Sequence, residues 1–98
     1  MVKIKLTKQP NEVYFKTTTH YELDVDGKPL TICVEEDSNE ARIHYKHGIG
    51  WCESPPDWIL EIGEDDWGDL IFERALWANL SGMSFNEEIL IKDKNDIR

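Results

Sequence analysis

The dipeptide Asp26-Gly27 lies between two stretches in which apolar and polar residues alternate. Asp-Gly is typical of the type I′ turn, which joins two antiparallel strands through only two residues. Such a short turn fixes the register, and it places Leu23 directly opposite Leu30. The apolar residues of both strands then fall on one face of the hairpin, as a correct register requires. The sequence therefore predicts a hairpin between a strand over residues 13–25 and a partner strand that begins at Lys28.

Further strands and one helix extend this hairpin into a small mixed fold. A loop at residues 37–40 leads into a third strand at 41–46, with Tyr45 opposite Ile32, and apolar residues mark further strands near 2–6 and 88–92. The acids at 64–66 favour the start of a helix, and Gly82 is a natural residue after its end. We therefore predict one domain, 1–98, with an α+β fold: an antiparallel β-meander of four to five strands with one principal helix, about 65–81, packed on one face. Residues 58–62 fit a short helix or a strand equally well.

Charge is distributed unevenly along the chain. Residues 48–73 hold eight acids and no Lys or Arg, so this segment carries nearly all of the net charge of −9. A one-signed field of this kind influences partners rather than fold, and it disfavours direct binding to nucleic acid or to an anionic membrane. The segment also contains three tryptophans. Trp51 and Trp58, which are flanked by Gly and Pro, are the better candidates for exposure, whereas Trp67 and Trp77 are expected in the core.

Tryptophan among carboxylates without neighbouring bases is the composition of an interface hot spot. We predict that this segment binds and blocks a protein with a basic, Arg/Lys-rich surface, such as an enzyme that handles nucleic acid. Nuclease-toxin immunity proteins and phage-encoded inhibitors of host defence are similar to this chain in size and charge alone. The predicted partner-binding residues are Trp51, Glu53, Asp57, Trp58, Glu61, Glu64, Asp65, Asp66, Asp69 and Glu73.

No catalytic signature or cofactor-binding motif is found, so we predict a non-enzymatic protein without a cofactor or a metal. The N-terminus lacks the continuous apolar region of a signal peptide, and no apolar run approaches the length of a membrane span. The two cysteines are too few for a disulfide framework. These features predict a cytoplasmic protein with free thiols, in a bacterial cell or a phage-infected host.

Two other classes of function have their own residues. In a helix over 65–81, Phe72, Leu76 and Leu80 lie on the side opposite to a first apolar face. Either another segment covers this stripe, or it is the interface of a structural or regulatory homodimer. The hairpin register also places Cys33 between His20 and His44 on three adjacent strands. Histidine beside a thiol suggests a small metalloprotein or a thiol enzyme as a further alternative.

Overall fold

Segments in which apolar and polar residues alternate form a sheet. Helices from the acidic half of the chain cover one face of that sheet. A computed structural model describes residues 1–12, 18–36 and 40–93. The strands are β1 (Val2–Leu6), β2 (Asn11–Glu12), β3 (Thr18–Val25), β4 (Lys28–Glu36), β5 (Ala41–His47), β6 (Gly50–Cys52) and β7 (Glu88–Ile91). The helices are α1 (Asp57–Gly63) and α2 (Ile71–Asn79), and a short 3-10 turn, Leu80–Gly82, follows α2.

The strands form one antiparallel sheet in the order β6-β5-β4-β3-β1-β7, with the short β2 paired to β3 beyond the end of β1. This arrangement confirms the α+β fold with a meander of hairpins. One strand more than expected lies in the main order, because β6 returns from β5 through a second tight turn with Gly48 at φ +59°. Two-residue hairpin loops of this kind favour Gly at the first central position.

The register predicted from the Asp26-Gly27 turn is confirmed. Both turn residues have positive φ, at 52° and 88°, and Leu23 pairs with Leu30. The third strand is also in the predicted register, with Tyr45 opposite Ile32. The part of the predicted strand at 13–17 and the loop at 37–39 lie outside the described residues.

The two faces of the sheet differ in character. Leu23, Ile32 and Tyr45 belong to the face that α1 and α2 cover, and each is 2% exposed or less. The other face has no helix over it in the part of the chain that the structure describes. We call it the open face, and it carries the even residues of β3, the odd residues of β4 and the even residues of β5. Within the described ranges, no helix has the length and apolarity needed to cross a membrane.

The principal helix begins later than predicted, at Ile71 rather than near residue 65. Asp65 prevents an earlier start because its Oδ1 accepts hydrogen bonds from the backbone N–H groups of Trp67 (2.9 Å) and Asp69 (3.0 Å). Such local bonds offer the backbone an alternative to the helix. Gly68 has a φ of +78°, which a right-handed helix does not allow. Residues 58–62, which the sequence left undecided, lie in α1.

The side of α2 that faces the core is the one opposite to the first apolar face. Phe72, Leu76 and Leu80 point into the core and are 0%, 0% and 5% exposed. Of the two alternatives predicted for this stripe, the covered one is observed: its side chains belong to the core, and the alternative of an oligomer interface at these residues is wrong. Gly63 makes this packing close, since a Cβ built there would lie 2.8 Å from Cβ of Phe72. The end of α1 thus fits directly against the first turn of α2.

Candidate protein-binding surface

Three carboxylates form one exposed row along α1. Asp57, Glu61 and Glu64 are spaced at i, i+4 and i+7, so they lie on the same side of the helix and its C-terminal cap. All three are exposed. The opposite side of α1 places Ile59 in the core at 0% exposure. We call this row the acidic ridge, and its position follows from the amphipathic pattern of the helix.

The loop after the ridge holds a tryptophan in solvent. Trp67 is 90% exposed, although it lies in a loop that is held by four hydrogen bonds. Two are the bonds to Asp65 Oδ1, and two are backbone bonds from Asp65 to Asp69 (2.9 Å) and from Gly68 to Asp65 (3.1 Å). Asp66 is exposed beside it. We call residues 65–69 the Trp67 loop. The indole is thus exposed on a loop whose backbone is hydrogen-bonded, and it lies outside the core.

A shallow groove of about 350 Å³ separates the Trp67 loop from α2. Gly68 and Leu70 line it at one side, and Trp77, which is 37% exposed, lines it at the other. Arg74 also lines the groove and pairs with Asp69 at 2.8 Å. The groove therefore offers apolar contact area next to the carboxylates of the ridge and loop.

Some carboxylates of the acidic segment have partners within the protein. Glu73 accepts a hydrogen bond from the hydroxyl of Tyr45 at 3.2 Å, and this buried hydroxyl depends on it. Burial, and secondarily the charge of Glu73, raise the pKa of Tyr45. Glu53, which follows β6, lies 3.8 Å from Arg42 on β5. Glu73 and Glu53 thus have partners within the domain, as do the bonded Asp65 and the paired Asp69, and their role in partner binding stays a prediction.

Charge nevertheless separates between the two sides of the domain. Residues 57–79 hold seven carboxylates and one base, Arg74. On the open face, opposite charges face each other across strands, as Lys5 does with Asp24 and Glu35 does with Arg42. Cross-strand pairs of this kind compensate locally. The negative field of the domain is therefore strongest on the helix side, where, among the described residues, only Asp69 of the seven carboxylates pairs with a base.

The structure changes which tryptophans can act as anchors. Trp58 packs against the core, and Lys28 Nζ lies 5.2 Å from the centre of its ring. Trp51 is 42% exposed but lies on the open face, because it pairs with Lys46 next to the core residue Tyr45. The expected core position of Trp67 is wrong. The sequence does contain a signal that Trp67 lies in a loop: its neighbours Asp66, Gly68 and Asp69 are of the polar and glycine types that are typical of loops.

The row of His20, Cys33 and His44 has the predicted register. Its chemistry does not suit a reactive thiol, because burial and then the charge of Glu35 raise the pKa of Cys33. His44 Nε2 lies 3.4 Å from Glu35 Oε2 instead. Among the described residues, no group of three His, Cys, Asp or Glu side chains is placed to hold a metal ion. The row therefore gives no support to the metalloprotein or thiol-enzyme alternative.

Comparison of the chain with protein-family models, with curated proteins and with solved structures gave no match. The candidate site is therefore defined by geometry and charge: the acidic ridge, the exposed Trp67 and the groove beside α2.

Proposed function

We propose that this chain is a non-enzymatic, acidic protein-binding module that acts as an inhibitor by covering a basic surface of a nucleic-acid-handling protein. One observation carries the proposal. The acidic ridge ends where the Trp67 loop begins, so exposed carboxylates without bases among them adjoin an indole that is 90% exposed. Binding hot spots are enriched in tryptophan, and an array of charges of one sign favours a partner surface of the opposite sign.

The class of partner follows from charge complementarity. Proteins that bind nucleic acid line their grooves with Arg and Lys that contact phosphates. Exposed carboxylates on the ridge would occupy the same positions as phosphates and pair with those side chains. The field of the helix side would also speed encounter, since electrostatic steering raises association rates. The proposal also implies where this chain acts: it would meet such a partner in the cytoplasm of a bacterial cell or of a phage-infected host.

Trp67 would contribute binding free energy that the charged groups alone do not provide. Exposed ion pairs contribute little net affinity, about 0–1 kcal/mol each, because solvent screens them. A buried aromatic anchor at the centre of an interface contributes considerably more, about 2 kcal/mol or above. The backbone of the Trp67 loop is held by hydrogen bonds to Asp65, so the loop itself does not have to become ordered when a partner binds. Less conformational entropy is then lost on binding.

Affinity capture at two salt concentrations tests the proposal. The immobilised chain is expected to retain a basic nucleic-acid-binding protein from the lysate of its own host at about 0.05 M salt, and to release it at about 0.5 M, where the Debye length is shorter. Added duplex DNA or RNA should displace the captured protein, because both ligands would compete for one surface. Retention that neither salt nor nucleic acid affects would contradict the proposal.

A further inference from the structure

A second concave site lies on the open face, away from the acidic ridge. It is a cleft of about 490 Å³, a volume typical of small-molecule sites. Residues 8–10 of the loop between β1 and β2, with Asn11 at the start of β2, form one wall. His20 and Glu22 of β3 and Trp51 of β6 form another. Thr31 and Lys46 also line the cleft, and they belong to the two strands between β3 and β6.

Trp51 reaches this cleft across the sheet. It belongs to the edge strand β6, three strand spacings from β3, or about 14 Å at the usual separation. The centre of its ring nevertheless lies 5.1 Å from that of His20 on β3, with an angle of 39° between the rings. The indole must therefore lie along the open face, over β5 and β4. Two aromatic rings then meet at the cleft, and the part of the indole that stays exposed is free to stack on a planar group.

The charges of the cleft favour one small anionic group. Lys8 is already paired with Glu22, whose carboxylate lies 3.3 Å from Nζ. Lys46 stands opposite Trp51 in the register, and within the part of the chain that the structure describes no carboxylate pairs with it. Lys46 therefore lines the cleft together with the aromatic rings as a cation without a carboxylate partner in the described ranges. A long polyanion does not fit this pattern, because a single free cation would face a protein of net charge −9.

We infer that this cleft binds a small planar heteroaromatic compound that carries one phosphate group, of the nucleoside monophosphate class. The base stacks on the indole of Trp51, and the phosphate pairs with Lys46. Asn11, which lies directly opposite His20, offers an amide that can both donate and accept hydrogen bonds to the sugar hydroxyls or the base edge. This site is independent of the proposed protein-binding surface, since no residue is shared.

NMR titration of the uniformly ¹⁵N-labelled full chain with adenosine 5′-monophosphate tests this inference. The indole N–H signal of Trp51 is assigned by its loss in Trp51→Phe. The expected result is a saturable shift of that signal at millimolar ligand or below. Adenosine should bind more weakly, because it lacks the phosphate. Trp51→Ala should weaken binding of the nucleotide by about tenfold, the usual contribution of base stacking on an aromatic ring.

Matched variants separate the cleft from general effects. Lys46→Gln should weaken the nucleotide several-fold but leave adenosine unchanged, whereas Lys28→Gln, with the same loss of charge outside the cleft, should change neither. Trp67→Ala should also have no effect. Thermal unfolding followed by circular dichroism shows whether each variant is folded. The inference is overturned if the nucleotide causes no shift at about 5 mM, a concentration at which a Kd of about 1 mM would already give roughly 80% saturation. It is also overturned if glucose shifts the Trp51 signal instead, or if Lys28→Gln and Lys46→Gln weaken binding equally.

Discussion

Replacing Leu76 by Asp is expected to unfold the domain. Leu76 lies at 0% exposure between α2 and the sheet, in contact with the same core as Phe72 and Leu80. Removing a buried Leu side chain costs about 2–5 kcal/mol, and an unpaired carboxylate in its place adds a desolvation cost. A domain of this size has only about 5–15 kcal/mol of total stability. Urea unfolding followed by circular dichroism should show a lost or strongly reduced folded baseline.

Ala78→Asp is the matched control for this experiment. Ala78 is exposed on the same helix, two residues further along, so a carboxylate there remains in water. We expect a loss of about 1–2 kcal/mol, because Asp has a lower helix propensity than Ala and its negative charge would lie near the C-terminus of α2. If Leu76→Asp unfolded with the midpoint of the wild type and changed only the sedimentation behaviour, Leu76 would be a surface residue of an oligomer, and the fold described above would be wrong.

Replacing Trp67 by Ala is expected to abolish most partner binding without destabilising the fold. The indole is 90% exposed, so its loss removes few contacts within the domain. In a complex the same side chain would be buried, and truncation of such an anchor costs about 2–4 kcal/mol, or roughly 30- to 1,000-fold in Kd. Isothermal titration with the captured partner measures the change in Kd, and thermal unfolding measures stability.

Ile49 provides the control for exposed apolar area. It is fully exposed at the tip of the β5–β6 turn, far along the chain from the Trp67 loop. Ile49→Ala should leave Kd within about twofold of the wild type, because surface substitutions outside an interface change free energies by less than about 0.5 kcal/mol. Equal losses of affinity for Trp67→Ala and Ile49→Ala would show that Trp67 has no special role in recognition.

The sheet could be predicted from sequence because each of its rules is local. A two-residue turn with positive φ at both positions admits one register, and the alternation of apolar residues selects the same register independently. The pairing of Leu23 with Leu30 and that of Tyr45 with Ile32 both agree with that prediction. The strand β6 was missed because its three residues, Gly50–Cys52, are all exposed and show no alternation.

The helix side was harder to predict. The start of α2 depends on Asp65, which belongs to a residue type that also favours the first turn of a helix. Acids at positions 64–66 suit the first turn of a helix, but Asp65 uses its carboxylate to close a loop instead. Moving the start to Ile71 excludes Trp67 from the helix and leaves Phe72 and Leu76 on the core side. Tryptophan is highly buried on average, so the residue type alone could not reveal that Trp67 lies in solvent.

The measurement that tests the central claim most directly is the Kd of the captured partner for two triple variants with equal changes in charge. The first variant neutralises the acidic ridge with Asp57→Asn, Glu61→Gln and Glu64→Gln. The second variant neutralises three carboxylates on the open face with Glu22→Gln, Glu35→Gln and Glu88→Gln. At about 0.05 M salt we expect the ridge variant to raise Kd by about tenfold or more, since each charge contributes up to about 1 kcal/mol. The open-face variant should stay within about twofold. Equal weakening by both variants would mean that only net charge matters, and unchanged binding by the ridge variant would place recognition elsewhere.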